Sequence, residues 1–283
     1  MHVTAPSTHR DRLLAAFPEL HEHGTPALLL HPHLASPGPQ DSSVGGPLLW
    51  PADEPWPTCP HGHYVFGAPP EDGDVFYDEP PFLQGVVQLF ARDLPPGHTL
   101  PGGSELLQVL WCPNDHPRPP DADGHELTPW FTLRWRHDLT GLAPVSDQPR
   151  PHTSVKSYGL PPCALAIEEI TDYPSEALLP EALAERVDEW ESTAPESGHV
   201  DPGTVYVDEL AHRRGMKFGG HQPWGLTDPF PVECECGAIM QLLLQIDSME
   251  PGGLEGFVIS RGYSLGIHCC PDFPDHPHHT VMQ

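Results

Sequence analysis

Cationic side chains are scarce in this chain of 283 residues. Lysine and arginine number 13 against 40 acidic residues, and only Lys156 and Lys217 are lysines. The formal charge of -27 repels polyanions, so nucleic acid and anionic membrane surfaces are excluded as partners. Long apolar runs are lacking too. The longest, such as Ala27 to Leu30, are far too short to cross a bilayer. Met1 to Phe17 carries no apolar stretch of the secretory kind, so a cytoplasmic location is expected. In that compartment seven cysteines, an odd number, read as thiols or metal ligands rather than disulfides. The chain contains no G-x-S-x-G elbow, Walker loop or HExxH pair. Carboxylate pairs such as Glu168-Glu169 and Asp188-Glu189 carry little meaning in so acidic a chain. The expectation is therefore a protein without an assembled catalytic constellation.

Proline and glycine are abundant, at 39 and 26 residues, but seven tryptophans and a 38% hydrophobic share support a core. The reading is a folded, loop-rich protein with short strands, long enough for one large domain or two smaller ones.

Its clearest signal is a repeat. Residues 45–59 read GGPLLWPADEPWPTC and residues 219–234 read GGHQPWGLTDPFPVEC. Both run Gly-Gly, Trp, acid, Pro-aromatic-Pro, Cys. Each continues into an apolar stretch with a late glutamine, FLQGVVQLF at 82–90 and IMQLLLQID at 239–247. The pattern returns at Leu110–His116 and at His268–Asp272, with His276 beyond. The first copy carries an acidic, proline-rich insertion between Cys59 and Phe82, including Glu71 to Glu79, which reads as an exposed loop.

The expected fold class is α+β and β-rich, an internal duplication of two similar sheet-bearing halves joined by a helical segment. Residues 1–40 form an N-terminal helix and lead-in, 41–174 the first repeat, 175–192 a connecting helix and 193–283 the second repeat. Residues 8–17 predict a helix stopped by Pro18, and 175–191 a helix broken at Pro180. Strands are expected at 27–30, 106–111, 131–135 and 164–170, with a closing hairpin of 256–260 and 264–269 around Arg261-Gly262. Residues 113–125 and 144–154 read as loops.

Gly45, Gly46 and Trp50, Pro57-x-Cys59 and Gln88, with Gly219, Gly220, Cys234-x-Cys236-Gly237 and the LLLQID block ending at Asp247, resemble the YwqG-like family of bacterial proteins. The resemblance covers roughly residues 40–283. It implies a bacterial protein with a duplicated β-rich fold and no established reaction. Members stand near polymorphic toxin systems, which implies an immunity role. The first half departs from the pattern: the second cysteine of the pair is missing, and His61 and His63 stand nearby.

Four Cys or His ligands make a structural zinc site. Candidate ligands are Cys59, His61, His63 and Cys112 in the first half, and Cys234, Cys236, Cys269 and Cys270 in the second, with His116, His268 and His276 close by. Adjacent Cys269 and Cys270 point to opposite strand faces, so only one can join a site. Cys234, Cys236 and one of that pair are expected to converge. The run His276 to His279 reads as compositional, with a metal-binding tail as the alternative.

The remaining motif residues read as fold determinants. Gly45, Gly46, Gly219 and Gly220 permit unusual backbone angles. Trp50 and Trp224 anchor the turns, and Gln88 and Gln245 satisfy buried backbone groups at strand ends. The function expected is non-enzymatic acidic binding that neutralises a basic protein partner. The alternative is an enzyme or small-molecule-binding protein using a cleft between the halves, with zinc.

Overall fold

The computed structural model describes residues 8–61, 80–117, 127–142, 145, 147–151, 158–193, 205–248 and 257–283. His63 and the acidic stretch Glu71 to Glu79 lie outside the described residues.

Among the described residues, ten strands form one antiparallel sheet. They are β1 (Thr25–Leu34), β2 (Ser43–Val44), β3 (Gln84–Phe90), β4 (Leu106–Pro117), β5 (Leu127–Arg136), β6 (Cys163–Asp172), β7 (Met216–Gly219), β8 (Gln241–Ile246), β9 (Leu265–Cys269) and β10 (His279–Met282). Their order across the sheet is β10-β9-β8-β7-β1-β6-β2-β3-β4-β5. Both halves thus feed a single sheet, with β1 and β6 at its centre. β1 pairs with β6 over its whole length, from Thr25 opposite Asp172 to Leu34 opposite Cys163. Beyond them β1 takes β7 as its second neighbour and β6 takes β2. The lead-in segment therefore supplies a central strand. Ala27–Leu30 are buried in an unbroken run, as a strand covered on both faces requires.

The sheet curls. One apolar cluster joins Leu28 of β1, Val87 of β3, Trp111 of β4, Phe131 of β5, Leu244 of β8, Ile267 of β9 and Met282 of β10. The segment after β9 meets the β5 edge, where the Trp135 indole donates to the Pro274 carbonyl at 3.1 Å. That contact covers an edge strand.

Helices α1 (Thr8–Ala16) and α2 (Glu181–Thr193) pack in a second cluster of their own. Leu13, Phe17 and Leu20 meet Leu183, Val187 and Tyr206 there. The expected helix at 175–191 divides at Pro180. Glu176–Leu178 is a 3₁₀ turn, and α2 begins after the proline, whose carbonyl accepts from the Leu183 and Ala184 amides. Proline has no amide hydrogen and suits a helix start.

Two local expectations are corrected. Residues 113–117 are strand, not loop. β4 runs past the end of β3, so this stretch pairs only with β5, and the register shifts between Cys112 and His116. Prolines are tolerated on such an unpaired, bulged side. The hairpin expected at 256–269 is reduced, among the described residues, to one bridge between Ile259 and Tyr263. β9 pairs instead with β8 and with β10, a strand not expected at all.

Candidate metal centres

The second-half centre begins with a tight turn. The Cys234 amide donates to the Ala238 carbonyl at 2.9 Å, and the Gly237 amide returns to the Cys234 carbonyl at 2.8 Å. Gly237 has φ of +85°, a conformation glycine adopts without strain. The turn sets Cys234 and Cys236 side by side at the entry to β8. Cys270 arrives at the end of β9, and the following turn, closed by His276 N–H on the Phe273 carbonyl at 3.0 Å, brings back His276.

The ligand atoms of Cys234, Cys236, Cys270 and His276 all lie within 4.8 Å of one another. Cys236 Sγ is 3.6 Å from Cys270 Sγ, and Cys234 Sγ is 3.3 Å from His276 Nδ1. Zn–S bonds of about 2.3 Å in a tetrahedron imply ligand separations of about 3.5 to 4 Å. The arrangement can therefore hold a metal ion. Burial pushes the Cys270 thiol up, but the backbone N–H groups of Phe273 and Asp272 and the Cys236 thiol outweigh it and bring its pKa to about 7. Amide donors aimed at a sulfur favour its thiolate, the form that binds metal.

Cys269 stays out. Its side chain joins the sheet core, where burial and Cys270 push its pKa to about 11. His268 is not a member of the cluster either; burial lowers its pKa to about 4. The histidines near the C-terminus are not a compositional run. His276 joins the cluster, His278 bonds the Phe131 backbone, and His279 lies in β10.

The first half gathers Cys59, Cys112 and His116, whose ligand atoms also lie within 4.8 Å of one another. Cys59 Sγ is 3.1 Å from His116 Nε2. Asn114 Nδ2 donates to Cys112 Sγ at 3.4 Å. The neighbouring Cys59 thiol and burial push the Cys112 thiol well above its ordinary range. His61 is exposed, with its ring 5.3 Å from Trp130, and is not a member of this cluster.

The structural motif residues sit around the centres in matching ways. Ser43 of β2 stands opposite Gln88, and Lys217 of β7 opposite Gln245. Gln88 Nε2 donates to the carbonyls of Pro39 and Asp41, and Gln245 Nε2 to those of Arg213 and Gly215. Gln88 Oε1 also accepts from the Leu49 amide and Gln108. Gly45, Gly219 and Gly220 have φ of +61°, +75° and +78°, whereas Gly46 lies outside that region. Trp50 packs on Trp56 beside Cys59 and Cys112, and Trp224 packs on Phe230 beside Cys234 and Cys270. Asp247 accepts from the Gly215 amide, and its pKa is raised by burial.

One buried group was not foreseen. Lys217 and Asp172 are both fully buried and paired at 2.6 Å. Lys217 Nζ also donates to the His221 carbonyl, and Asp172 Oδ2 accepts from the His221 amide. Burial lowers the lysine pKa while Asp172 opposes it. No local signal in the sequence marks it, since Arg213 and Arg214 stand just before Lys217 and make the lysine read as part of a basic run.

A cavity of about 380 Å³ lies between Thr132–Trp135 of β5 and Pro274–His278. Neither a family profile nor a curated protein matches the chain. Among the described residues, no helix is long and apolar enough to cross a membrane.

Proposed function

We propose that the chain is a non-enzymatic, acidic binding protein of YwqG-like type that covers a basic protein partner in the bacterial cytoplasm, an immunity-like role. The charge of -27 carries this reading. Several of the few cations are already turned onto the protein itself. Lys217 is buried on Asp172, Arg136 and Arg134 meet Glu54, Arg186 meets Glu19, and Arg10 and Arg92 bond backbone carbonyls. The remaining field is strongly negative, which steers and retains a cationic surface.

The scaffold is a duplicated unit pinned by structural zinc. Equal spacing supports duplication. The bridges Thr58–Phe82 and Glu233–Ile239 each lie two residues before a sheet strand, and β3 and β8 each break register between their second and fourth residues' neighbours, Gly85/Val87 and Leu242/Leu244. The four ligands at Cys234, Cys236, Cys270 and His276 support zinc. A tetrahedron filled by protein leaves no position for substrate, which is the structural kind of site.

The cavity between β5 and residues 274–278 favours a second reading, a small-molecule site between the halves.

The test is titration calorimetry of the chain against basic proteins encoded beside its gene, at low and high salt. Binding that weakens steeply as salt screens the charges supports the reading. Binding to none of them, or binding indifferent to salt, rejects it.

A further inference from the structure

The first-half cluster differs from the second in a way that the register explains. Along a regular strand, residues four apart share a face but stand about 13 Å apart. From Cys112 to His116 β4 advances four residues, while its partner moves only from Trp130 to Thr128. The surplus is taken up in a bulge at 113–115, which lets the two side chains converge with Cys59 within 4.8 Å. All three are buried, His116 to 6% exposure. Asn114, on the same bulge, directs its amide at Cys112 Sγ. Two thiols and an imidazole facing one another, with a donor fixed on one sulfur, form the donor set of a thiophilic divalent ion.

The fourth position follows from the duplicated-unit reading, and that element alone rests on it. Cys59 N–H bonds the Pro81 carbonyl as Cys234 N–H bonds the Ala238 carbonyl. Two residues beyond Cys234 stands Cys236, a ligand; two residues beyond Cys59 stands His61. Its backbone already touches the site, with the His61 carbonyl 3.6 Å from Cys59 Sγ. The imidazole faces solvent beside Trp130, free of a buried niche that would hold it there.

We infer that Cys59, Cys112 and His116 form a second metal centre for zinc or a zinc-like ion, closed by His61 swinging in from the surface. Its fourth ligand arrives from solvent, so this centre exchanges its ion faster than the other.

Cobalt(II) titration of the full chain tests this, read by the tetrahedral visible bands and the thiolate charge-transfer band. The intact chain takes up two cobalt ions. Cys112→Ser and Cys270→Ser each take up one, and His61→Ala weakens the ion that remains in Cys270→Ser by about tenfold or more. Peptide mapping of alkylated thiols on the intact chain guards against a variant that fails to fold: zinc protects Cys59 and Cys112 as well as Cys234, Cys236 and Cys270. A single cobalt ion lost only in Cys270→Ser, with Cys59 and Cys112 alkylated equally with and without zinc, overturns the second centre. Unchanged affinity in His61→Ala overturns the closing role. A single ion lost only in Cys112→Ser leaves this centre standing and removes the zinc site proposed for the second half.

Discussion

Replacing Lys217 by methionine removes the ammonium that faces Asp172 at 2.6 Å, with neither side chain exposed. The carboxylate keeps only the His221 amide, because Asp172 Oδ1 has no partner. An uncompensated buried charge costs about 3–5 kcal/mol, so Lys217→Met should lower the melting temperature by about 5–8 °C in a protein of this size. Asp172→Asn should cost less. Burial already lowers the Lys217 pKa, so the lysine can shed its proton once the counter-charge is gone. The cost of Asp172→Asn should shrink further as pH rises. The double variant buries no charge, and asparagine oxygen still accepts from His221. It should return to within about 1–2 kcal/mol of the parent, a coupling of about 3 kcal/mol. Urea unfolding of all four proteins, with a common slope, measures the cycle. Additive single effects below about 1 kcal/mol would refute the picture of a dry, mutually dependent pair.

Glycine positions separate space from strain. Gly45→Ala places a Cβ 2.5 Å from the Pro161 carbonyl oxygen at positive φ, and Gly220→Ala places one 2.4 Å from Asp172 Oδ2. Each should cost more than Gly141→Ala, which has positive φ but open space and should lose about 1–2 kcal/mol in chemical denaturation. Gln88→Leu strands the Leu49 amide and the Pro39 and Asp41 carbonyls, and should cost about 3 kcal/mol by the same assay. His268 is held neutral in the fold, with its pKa pushed down to about 4 by burial, so the unfolded chain binds a proton that the native chain does not. Stability should therefore fall as pH drops from about 6.5 to about 4, by about 3 kcal/mol from this group. His268→Gln should flatten that limb, whereas acid release of metal would act equally on both proteins.

Legibility in the sequence followed periodicity and spacing. The strand at 131–135 alternates, the run at 106–111 is apolar except for Gln108, and both lie within strands of the sheet. β10 was illegible because His279 and Thr280 hide its two buried residues, Val281 and Met282. That both halves share one sheet could not be read either. Which neighbour β1 chooses depends on long-range pairing with β6 and β7, and no local pattern encodes it. Of the candidate ligands, Cys234 and Cys236 were legible from the Cys-x-Cys-Gly turn, while strand alternation admitted one of Cys269 and Cys270 without saying which. His276 and His116 were visible only as neighbours, because a turn at 273–276 and a bulge at 113–115 bring them in. The Lys217–Asp172 pair joins residues 45 positions apart through β7 and β6, and no local pattern pointed to it.

Native mass spectrometry of the chain after brief treatment with a mild chelator tests the metal-pinned scaffold most directly. The account predicts a mass one zinc ion above the bare chain, with Cys234, Cys236 and Cys270 protected from alkylation until the protein is unfolded. A bare mass, with Cys234, Cys236 and Cys270 alkylated under native conditions, would contradict it.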